Sequence, residues 1–149
     1  MLSEKYTTVV STNNLVAQQI LSSNVSPVHQ GVATAQYNFV QDGGAQHTYE
    51  LVLSKSLPKN AAVTSVIFVP SESNPLYSTG LAAISLGINA PGDVLPETPI
   101  TDAPLDALTV APANIRVAAN ALKTVIMTIN VADLSSGEIT FKFPYVLAE

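Results

Sequence analysis

The sequence predicts an all-β chain: an antiparallel β-sandwich, jelly-roll-like, with an N-terminal arm. Short segments in which apolar and polar residues alternate recur along the chain, and turn residues such as Gly, Pro and Asn separate them. No amphipathic helical pattern lies between these segments, which favours two packed sheets over a parallel α/β fold. Seven or eight segments of this kind suit a jelly roll or a related Greek-key sandwich.

The first third of the chain differs in composition from the rest. Residues 1–33 are rich in Ser, Thr, Asn, Gln and Val, and we expect them to form an arm or a segment exchanged between subunits. Residues 34–149 are expected to form the sandwich domain. Residues 13–21 suit a short helix capped by an Asn, and equally a strand or a terminus that orders only against a partner chain.

The first half of the sandwich contains four strand signals. Alternation at 35–39 leads into the Asp-Gly-Gly sequence of 42–44, which predicts a hairpin turn into a second strand at 48–53. The β-branched residues of 62–69 predict a buried strand that ends at a proline, and a polar loop follows it. Alternation at 84–88 predicts the fourth strand.

Residues 90–114 contain five prolines with four acidic residues between them. Proline fixes φ and removes a hydrogen-bond donor, so this region is predicted to be mostly loop. A loop of this length in a compact domain is typical of a functional or partner-contacting segment.

Two further strands close the chain. The alternate residues of 125–131 share an apolar face, as do those of 139–145, among which Phe141 and Phe143 are assigned to the core. The short connection at 133–137 predicts that the two strands form a hairpin. Pro144 predicts that the last strand lies at a sheet edge or ends there.

The composition excludes several classes of function. The chain of 149 residues is 47% hydrophobic and 11% charged, whereas charged residues make up about 25% of an ordinary domain. Its net charge is −5 and its six basic residues are scattered, which argues against nucleic acid and anionic membranes as partners. A surface with so few charges predicts that other protein covers much of it.

Residues that carry out chemistry are sparse. There is no cysteine, which excludes disulfides and thiolate sites, and the only histidines are His29 and His47. A metal site would combine them with Asp42 or Glu50, but His47 and Glu50 are three apart on a strand and so face opposite sides. The serines have no nucleophile elbow around them, and the two adjacent glycines lack the lysine of a phosphate loop.

The acidic residues of the proline-rich region are candidate calcium ligands, because calcium takes several carboxylate oxygens. Their spacing matches no EF-hand, and a solvated or subunit-facing loop is the better interpretation. These residues are Asp93, Glu97, Asp102 and Asp106. We therefore predict no catalytic residue, no metal site and no cofactor.

Residues 57–66, 81–88, 131–139 and 143–146 carry a resemblance that extends over about residues 50–149. In them a Leu-Pro-x-x-Ala-x-Val step leads into a strand, and a strand of small residues follows a polar loop. This pattern resembles small structural proteins of tailed-phage virions, chiefly capsid decoration (cement) and head-fibre proteins. The resemblance implies a jelly-roll-like subunit, often trimeric, on or projecting from an icosahedral shell.

The expected function is therefore that of a non-enzymatic virion protein that decorates or cements a phage capsid. Its partners would be itself, as a homotrimer, and the major capsid protein, and it would be made in the host cytoplasm and lie on the capsid surface. The alternative is a host-recognition module of a head or tail fibre. The predicted partner contacts are Leu15, Val16, Ile20, Leu76, Tyr77, Leu95, Leu105 and Leu108.

Overall fold

The computed structural model describes residues 28–118 and 120–148, of which Gln30–Leu147 form one compact unit. The strands are β1 (Val28–Asn38), β2 (Thr48–Leu57), β3 (Ala62–Pro70), β4 (Tyr77–Ser78), β5 (Ala83–Gly87), β6 (Leu95–Pro99), β7 (Thr109–Arg116), β8 (Leu122–Asn130), β9 (Leu134–Ser136) and β10 (Glu138–Ala148). The described helices, α1 (Phe39–Asp42) and α2 (Ala103–Asp106), have one turn each. The helix considered at 13–21 lies outside the described residues.

Two four-stranded sheets build the sandwich. The first sheet has the order β1-β10-β3-β7 and the second has the order β2-β8-β5-β6, while β4 and β9 form a small separate pair. The eight main strands thus alternate between the sheets, apart from the neighbours β5 and β6, and this is the strand order of a jelly roll. The predicted all-β antiparallel sandwich is confirmed. Its first strand begins at Val28, so the boundary predicted at residues 33 and 34 falls inside β1.

Alternating residues of the two sheets fill the space between them. Phe141 and Phe143 of β10 are fully buried, as predicted, and the Phe141 ring meets Phe68 of β3 edge-on at 5.9 Å. From the second sheet, Met127 and Ile129 of β8 are fully buried against them. The period-2 pattern of these strands therefore identified the residues of the core.

Both predicted hairpins are wrong. β1 and β2 lie in different sheets, and so do β8 and β10, so each connection crosses the sandwich and does not fold one strand back onto the previous one. Asn130 ends β8, and the hydrogen bond from the Ala132 N–H to the Asn130 carbonyl closes a γ-turn around Val131. Val131 has φ 75° and is exposed, whereas the sequence pattern had placed it on the buried face of the strand.

The region 90–114 is not mostly loop, because it contains β6, α2 and most of β7. β6 and β7 are edge strands of their sheets, and they carry Pro96, Pro99 and Pro112. A proline on an edge strand can leave its missing donor on the side where no partner strand needs it. The same residues that indicated a loop are therefore compatible with strands at this position.

The prediction for Pro144 is also wrong. β10 lies between β1 and β3 inside the first sheet and continues to Ala148. The pairing of β10 with β3 shifts register between Lys142 and Tyr145, so Pro144 occupies an irregularity of the ladder. A bulge removes the need for a donor at that residue, which is how an interior strand accommodates a proline.

The alternation between sheets sorts the connections into two groups. We call the loops 39–47, 71–82, 100–108 and 131–137 the four-loop end, because consecutive main strands that run in opposite directions bring all four to one end of the sandwich. The loops 58–61, 88–94 and 117–121 form the three-loop end at the opposite side, with residue 119 outside the described part.

Candidate subunit-contact surface

Backbone hydrogen bonds join the loops of the four-loop end to one another. The Leu134 N–H donates to the Gly44 carbonyl at 2.7 Å, which ties the β8–β10 loop to the β1–β2 loop. The Glu138 N–H donates to the Asn74 carbonyl at 2.9 Å and ties the start of β10 to the β3–β5 loop. These bonds satisfy main-chain groups that no strand pairs, so the loops form one continuous surface.

A glycine permits the closest of these approaches. Gly137 has φ 116°, and a Cβ atom built on it would lie 2.4 Å from the Pro75 carbonyl oxygen. Any larger residue would be strained at this φ and would also collide with the backbone of the β3–β5 loop. Gly137 therefore allows the β8–β10 loop to rest directly on that loop.

Apolar side chains fill the interior beneath the four-loop end. Leu76, Ile100, Leu105 and Leu134 are all buried and belong to the hydrophobic core between the sheets. Leu76 and Leu105 were predicted to contact a partner, and so was Leu95, which is buried in the same core from β6. Their side chains are already packed within the chain, and their contact with a partner stays a prediction.

Several large apolar side chains of this end stay in solvent, three of them on the loops 71–82 and 100–108. Tyr77 is 59% exposed, Leu81 is 60% exposed and Leu108 is 70% exposed. Tyr77 and Leu108 are two of the predicted partner contacts, and the structure brings them to the same end of the sandwich. Their contact with a partner stays a prediction. Leu15, Val16 and Ile20, also predicted contacts, lie outside the described residues.

Two adjoining depressions run across this surface, and we call them together the end groove. The larger has a volume of about 660 Å³ and lies among Pro70, Pro75 and Leu108. The smaller, of about 220 Å³, lies between Tyr77 and Leu81 and shares Pro75 with the larger one. The end groove thus presents proline, leucine and tyrosine carbons to solvent, which is typical of the centre of a protein interface.

The rim of the end groove is acidic. Glu72 lines the larger depression, and Asp106 lines both depressions. Both residues are exposed, and Asp106 ends the single turn of α2. An occupant of the groove would therefore meet apolar carbons at its centre and negative charge at its edge.

Two tyrosines hold the β1–β2 loop at this end. The Tyr37 hydroxyl donates to the Gly43 carbonyl at 2.6 Å, and the Tyr49 hydroxyl donates to the Ala45 carbonyl at 2.7 Å. Burial raises the pKa of both phenols, and the neighbouring charge of Asp42 adds to the rise in pKa. The neutral, donating form is thus the form that fixes the loop.

The three-loop end is held by side-chain hydrogen bonds. The Asp93 carboxylate accepts from the backbone N–H groups of Ile88, Asn89 and Ala90 at 2.8, 3.0 and 3.1 Å. Three donors of the β5–β6 loop are satisfied in this way by one side chain. Asp93, which the sequence offered as a calcium ligand, therefore has a structural role in its own loop.

Two more side chains join the loops of the three-loop end. The Asn89 amide donates to the Arg116 carbonyl at 2.8 Å and accepts from the Ala118 N–H at 3.1 Å. The Arg116 guanidinium donates to the Asn60 carbonyl at 2.8 Å. All three loops of this end are thus connected by polar contacts.

Within residues 28–118 and 120–148 no group of three or more His, Cys, Asp or Glu residues is placed to hold a metal ion. The His47 ring packs edge-on against Tyr49 at 5.2 Å. In the same part of the chain, no helix has the length and apolar character needed to cross a bilayer.

Sequence reasoning missed two residues of the surface, Glu72 and Leu81. Both lie in the β3–β5 loop, where no periodicity distinguishes exposed from buried positions. Leu81 follows directly on the Ser-Thr-Gly turn 78–80, and an apolar residue after such a turn was the available signal. Asp106 was expected to be solvated or subunit-facing, and it is exposed on the groove rim.

Comparison with solved structures shows that this fold occurs elsewhere. The chain is similar to a chain in the acidic stable capsid structure of Helicobacter pylori bacteriophage KHP30, with a TM-score of 0.55 and 19% identity over 83% of this chain and 90% of that one. It is also similar to a chain in the capsid asymmetric unit of cyanophage Pam1, with a TM-score of 0.58 and 15% identity over 88% of this chain and 95% of that one. No family model and no curated protein matches the sequence.

Proposed function

We propose that this chain is a non-enzymatic structural protein of a phage virion, which decorates or cements the capsid through contacts with copies of itself and with the major capsid protein. The observation that carries the proposal is the similarity in fold to chains of two phage capsid structures, over most of the length of both partners. A homotrimer on the outer surface of the capsid, made in the host cytoplasm, is the form we infer.

The end groove supports a role in assembly. Burying apolar surface contributes about 25 cal/mol per Å², and Tyr77, Leu81 and Leu108 offer such surface at one end. Each contact can be weak, because copies that are linked to one another bind a lattice with combined strength. The low charge of the chain supports the same role, since few charged groups need to be desolvated when protein covers it.

The proposal is tested on particles of the virus that encodes the chain. Mass spectrometry of gradient-purified particles should find the chain in a fixed ratio to the major capsid protein, and image reconstruction should place it on the capsid surface. Absence from the particles would contradict a virion role. Density confined to fibre tips, together with binding of the purified chain to host cells, would instead support the host-recognition alternative.

The N-terminal arm is the second predicted contact region. We expect a chain that lacks residues 1–27 to keep the sandwich, because β1 begins at Val28. The same chain should fail to attach to particles that have been produced without the protein. The control replaces residues 1–27 with a Gly/Ser linker of equal length, and it should fail as well. Full occupancy by either variant would show that the arm is not a contact.

A further inference from the structure

Charge is segregated between the two ends of the sandwich. The acidic side chains at or next to the four-loop end are Asp42, Glu72, Asp102, Asp106, Asp133 and Glu138. No lysine or arginine lies in the loops of that end, all of which belong to the described part of the chain. The basic side chains at or next to the three-loop end are Lys55, Lys59, Arg116 and Lys123.

The basic charges of the three-loop end point to solvent. Lys55, Lys59 and Lys123 are exposed. The acidic group of the loops at this end, Asp93, is turned to the backbone N–H groups of its own loop. Among the described residues of this end, the charged groups that face solvent are therefore mainly ammonium and guanidinium groups.

The loop 58–61 is a tight turn that carries one of these charges, and we call it the basic tip. The Ala61 N–H donates to the Pro58 carbonyl at 3.1 Å, which closes a tight turn with Lys59 and Asn60 at its apex. Asn60 has φ 66°, a conformation that asparagine tolerates well. Arg116 holds the turn from the side through its bond to the Asn60 carbonyl.

The end groove and the basic tip complement each other. The groove offers apolar carbons from Pro75 and Leu108 with Glu72 and Asp106 on its rim. The tip offers a proline ring followed by an exposed lysine. The proline ring of the tip would contact the proline and leucine carbons of the groove, and the lysine of the tip would lie beside the carboxylates of the groove. Such a contact excludes water from its centre and leaves its charges on the rim.

We propose that copies of this chain associate head to tail, with the basic tip of one copy seated in the end groove of the next. Such a contact is heterologous, and it closes into a ring when the rotation between copies divides a full turn. A trimer is one such ring. The inference rests on the self-association in the proposed function and not on attachment to a capsid.

Ionic strength should control this association. The Debye length is about 30 Å at 0.01 M salt and about 3 Å at 1 M, so charges on a solvent-exposed rim attract strongly only in dilute salt. Sedimentation velocity of the purified full chain should show oligomers at low salt, and the association constant should fall at least tenfold when salt is raised to 1 M. An association constant that does not depend on salt would overturn the proposal.

A charge exchange tests the pairing of the two surfaces. The first variant carries Glu72→Lys with Asp106→Lys, which reverses the charge on the rim of the end groove. The second carries Lys59→Glu with Lys123→Glu, which reverses the charge of the basic tip and of a neighbouring lysine. Each alone should associate at least tenfold more weakly than the parent chain. Mixed in equal amounts they should associate again, because the altered groove of the first faces the altered tip of the second.

The matched control carries Glu50→Lys with Glu97→Lys, two exposed carboxylates on β2 and β6 that line neither depression of the end groove. It has the same net charge as the first variant and should associate like the parent. Circular dichroism checks that every variant is folded. Variants that associate like the parent, or a mixture that stays monomeric, would overturn head-to-tail contact. A parent chain that is monomeric under all conditions would remove self-association altogether, while detection in particles would still support the virion role.

Discussion

The two ends of the sandwich differ in what their loops leave in solvent. At the three-loop end, Asp93, Asn89 and Arg116 satisfy backbone groups of all three loops with side-chain hydrogen bonds. At the four-loop end, buried leucines such as Leu105 fill the space beneath the loops, and more apolar carbon remains outside. The described loops of the three-loop end leave no large apolar side chain exposed, whereas the four-loop end has the composition of an interface.

The two ends also differ in the strain of their backbone. Among the described residues, each end has one non-glycine residue with positive φ, which is Asn60 at the three-loop end and Val131 at the four-loop end. Asparagine adopts this conformation readily, but a β-branched residue does so only under strain. The four-loop end therefore stores strain at an exposed valine, which is common where a surface serves a function.

The largest expected effect comes from the apolar interior of the four-loop end. Leu105 is 1% exposed, and Leu105→Ala should lower the free energy of unfolding by about 2–5 kcal/mol through lost burial and a residual cavity. Urea unfolding measures it. Leu108→Ala, on the exposed leucine nearby, is the control and should change stability by less than about 0.5 kcal/mol. Equal losses for the two leucines would contradict the distinction between core and surface.

The second effect tests the polar closure of the three-loop end. Asp93→Ala leaves three backbone N–H groups without their acceptor and should destabilise the chain by about 2–3 kcal/mol. Asp102→Ala is the matched control, because the Asp102 side chain makes no capping bond to α2. If both substitutions cost the same in urea unfolding, the Asp93 carboxylate does not hold its loop.

The third effect is a gain in stability. Val131→Asn should raise the free energy of unfolding by about 1 kcal/mol, because asparagine relieves the strain of positive φ. The reverse exchange at the opposite end, Asn60→Val, should lower it by about the same amount. Thermal unfolding compares the two variants, and a loss of stability for Val131→Asn would show that the γ-turn is not strained.

The fourth effect depends on pH. Tyr37→Phe removes the bond to the Gly43 carbonyl and should cost about 1 kcal/mol at neutral pH. Because the pKa of Tyr37 is raised in the folded chain, the unfolded chain ionises first, near its ordinary pKa of about 10. Stability should therefore be full below pH 10 and fall as pH rises above it.

Tyr37→Phe should flatten this alkaline loss in a series of urea curves between pH 8 and 11. Tyr49, whose phenol pKa is also raised by burial, should account for part of the slope that remains. Tyr77→Phe, on an exposed tyrosine, is the control and should leave the profile as in the parent chain. An unchanged alkaline slope in Tyr37→Phe would contradict the role of this phenol.

The smallest effect on stability is expected at the exposed residues of the end groove. Tyr77→Ser with Leu108→Ser should change the free energy of unfolding by less than about 0.5 kcal/mol and still weaken self-association severalfold. Val52→Ser, on an apolar residue of β2 that is 75% exposed, is the control and should alter neither. Sedimentation velocity separates the outcomes, and equal association of all three chains would remove the groove as a contact.

The sequence was sufficient for the fold class and for the core strands. Alternation at Met127 and Ile129 and at Phe141 and Phe143 identified buried faces, because a strand places every second side chain on one side. Which strands lie side by side in a sheet was not predictable from the same pattern. Whether β2 returns to β1 or crosses to the other sheet depends on contacts far apart in sequence, and the glycines at 43 and 44 suit either path.

The candidate surface was predictable only in part. Tyr77 and Leu108 were recognised as apolar residues in an irregular, polar setting, and both are exposed. Leu76 and Leu105 stand in the same setting, but the tertiary fold turns them inward, and no local pattern separates the two cases. The segregation of charge is visible only when the topology has assigned each loop to an end.

The prolines of β6 and β7 affect how copies of this chain can associate when they are packed closely together. A free sheet edge is a template on which another chain can add a strand, and proline at such an edge interrupts the row of donors. Two of the four outer strands of this hydrophobic molecule therefore resist fibre-like growth. Crowded copies are steered towards defined contacts between folded surfaces and away from aggregation through shared strands.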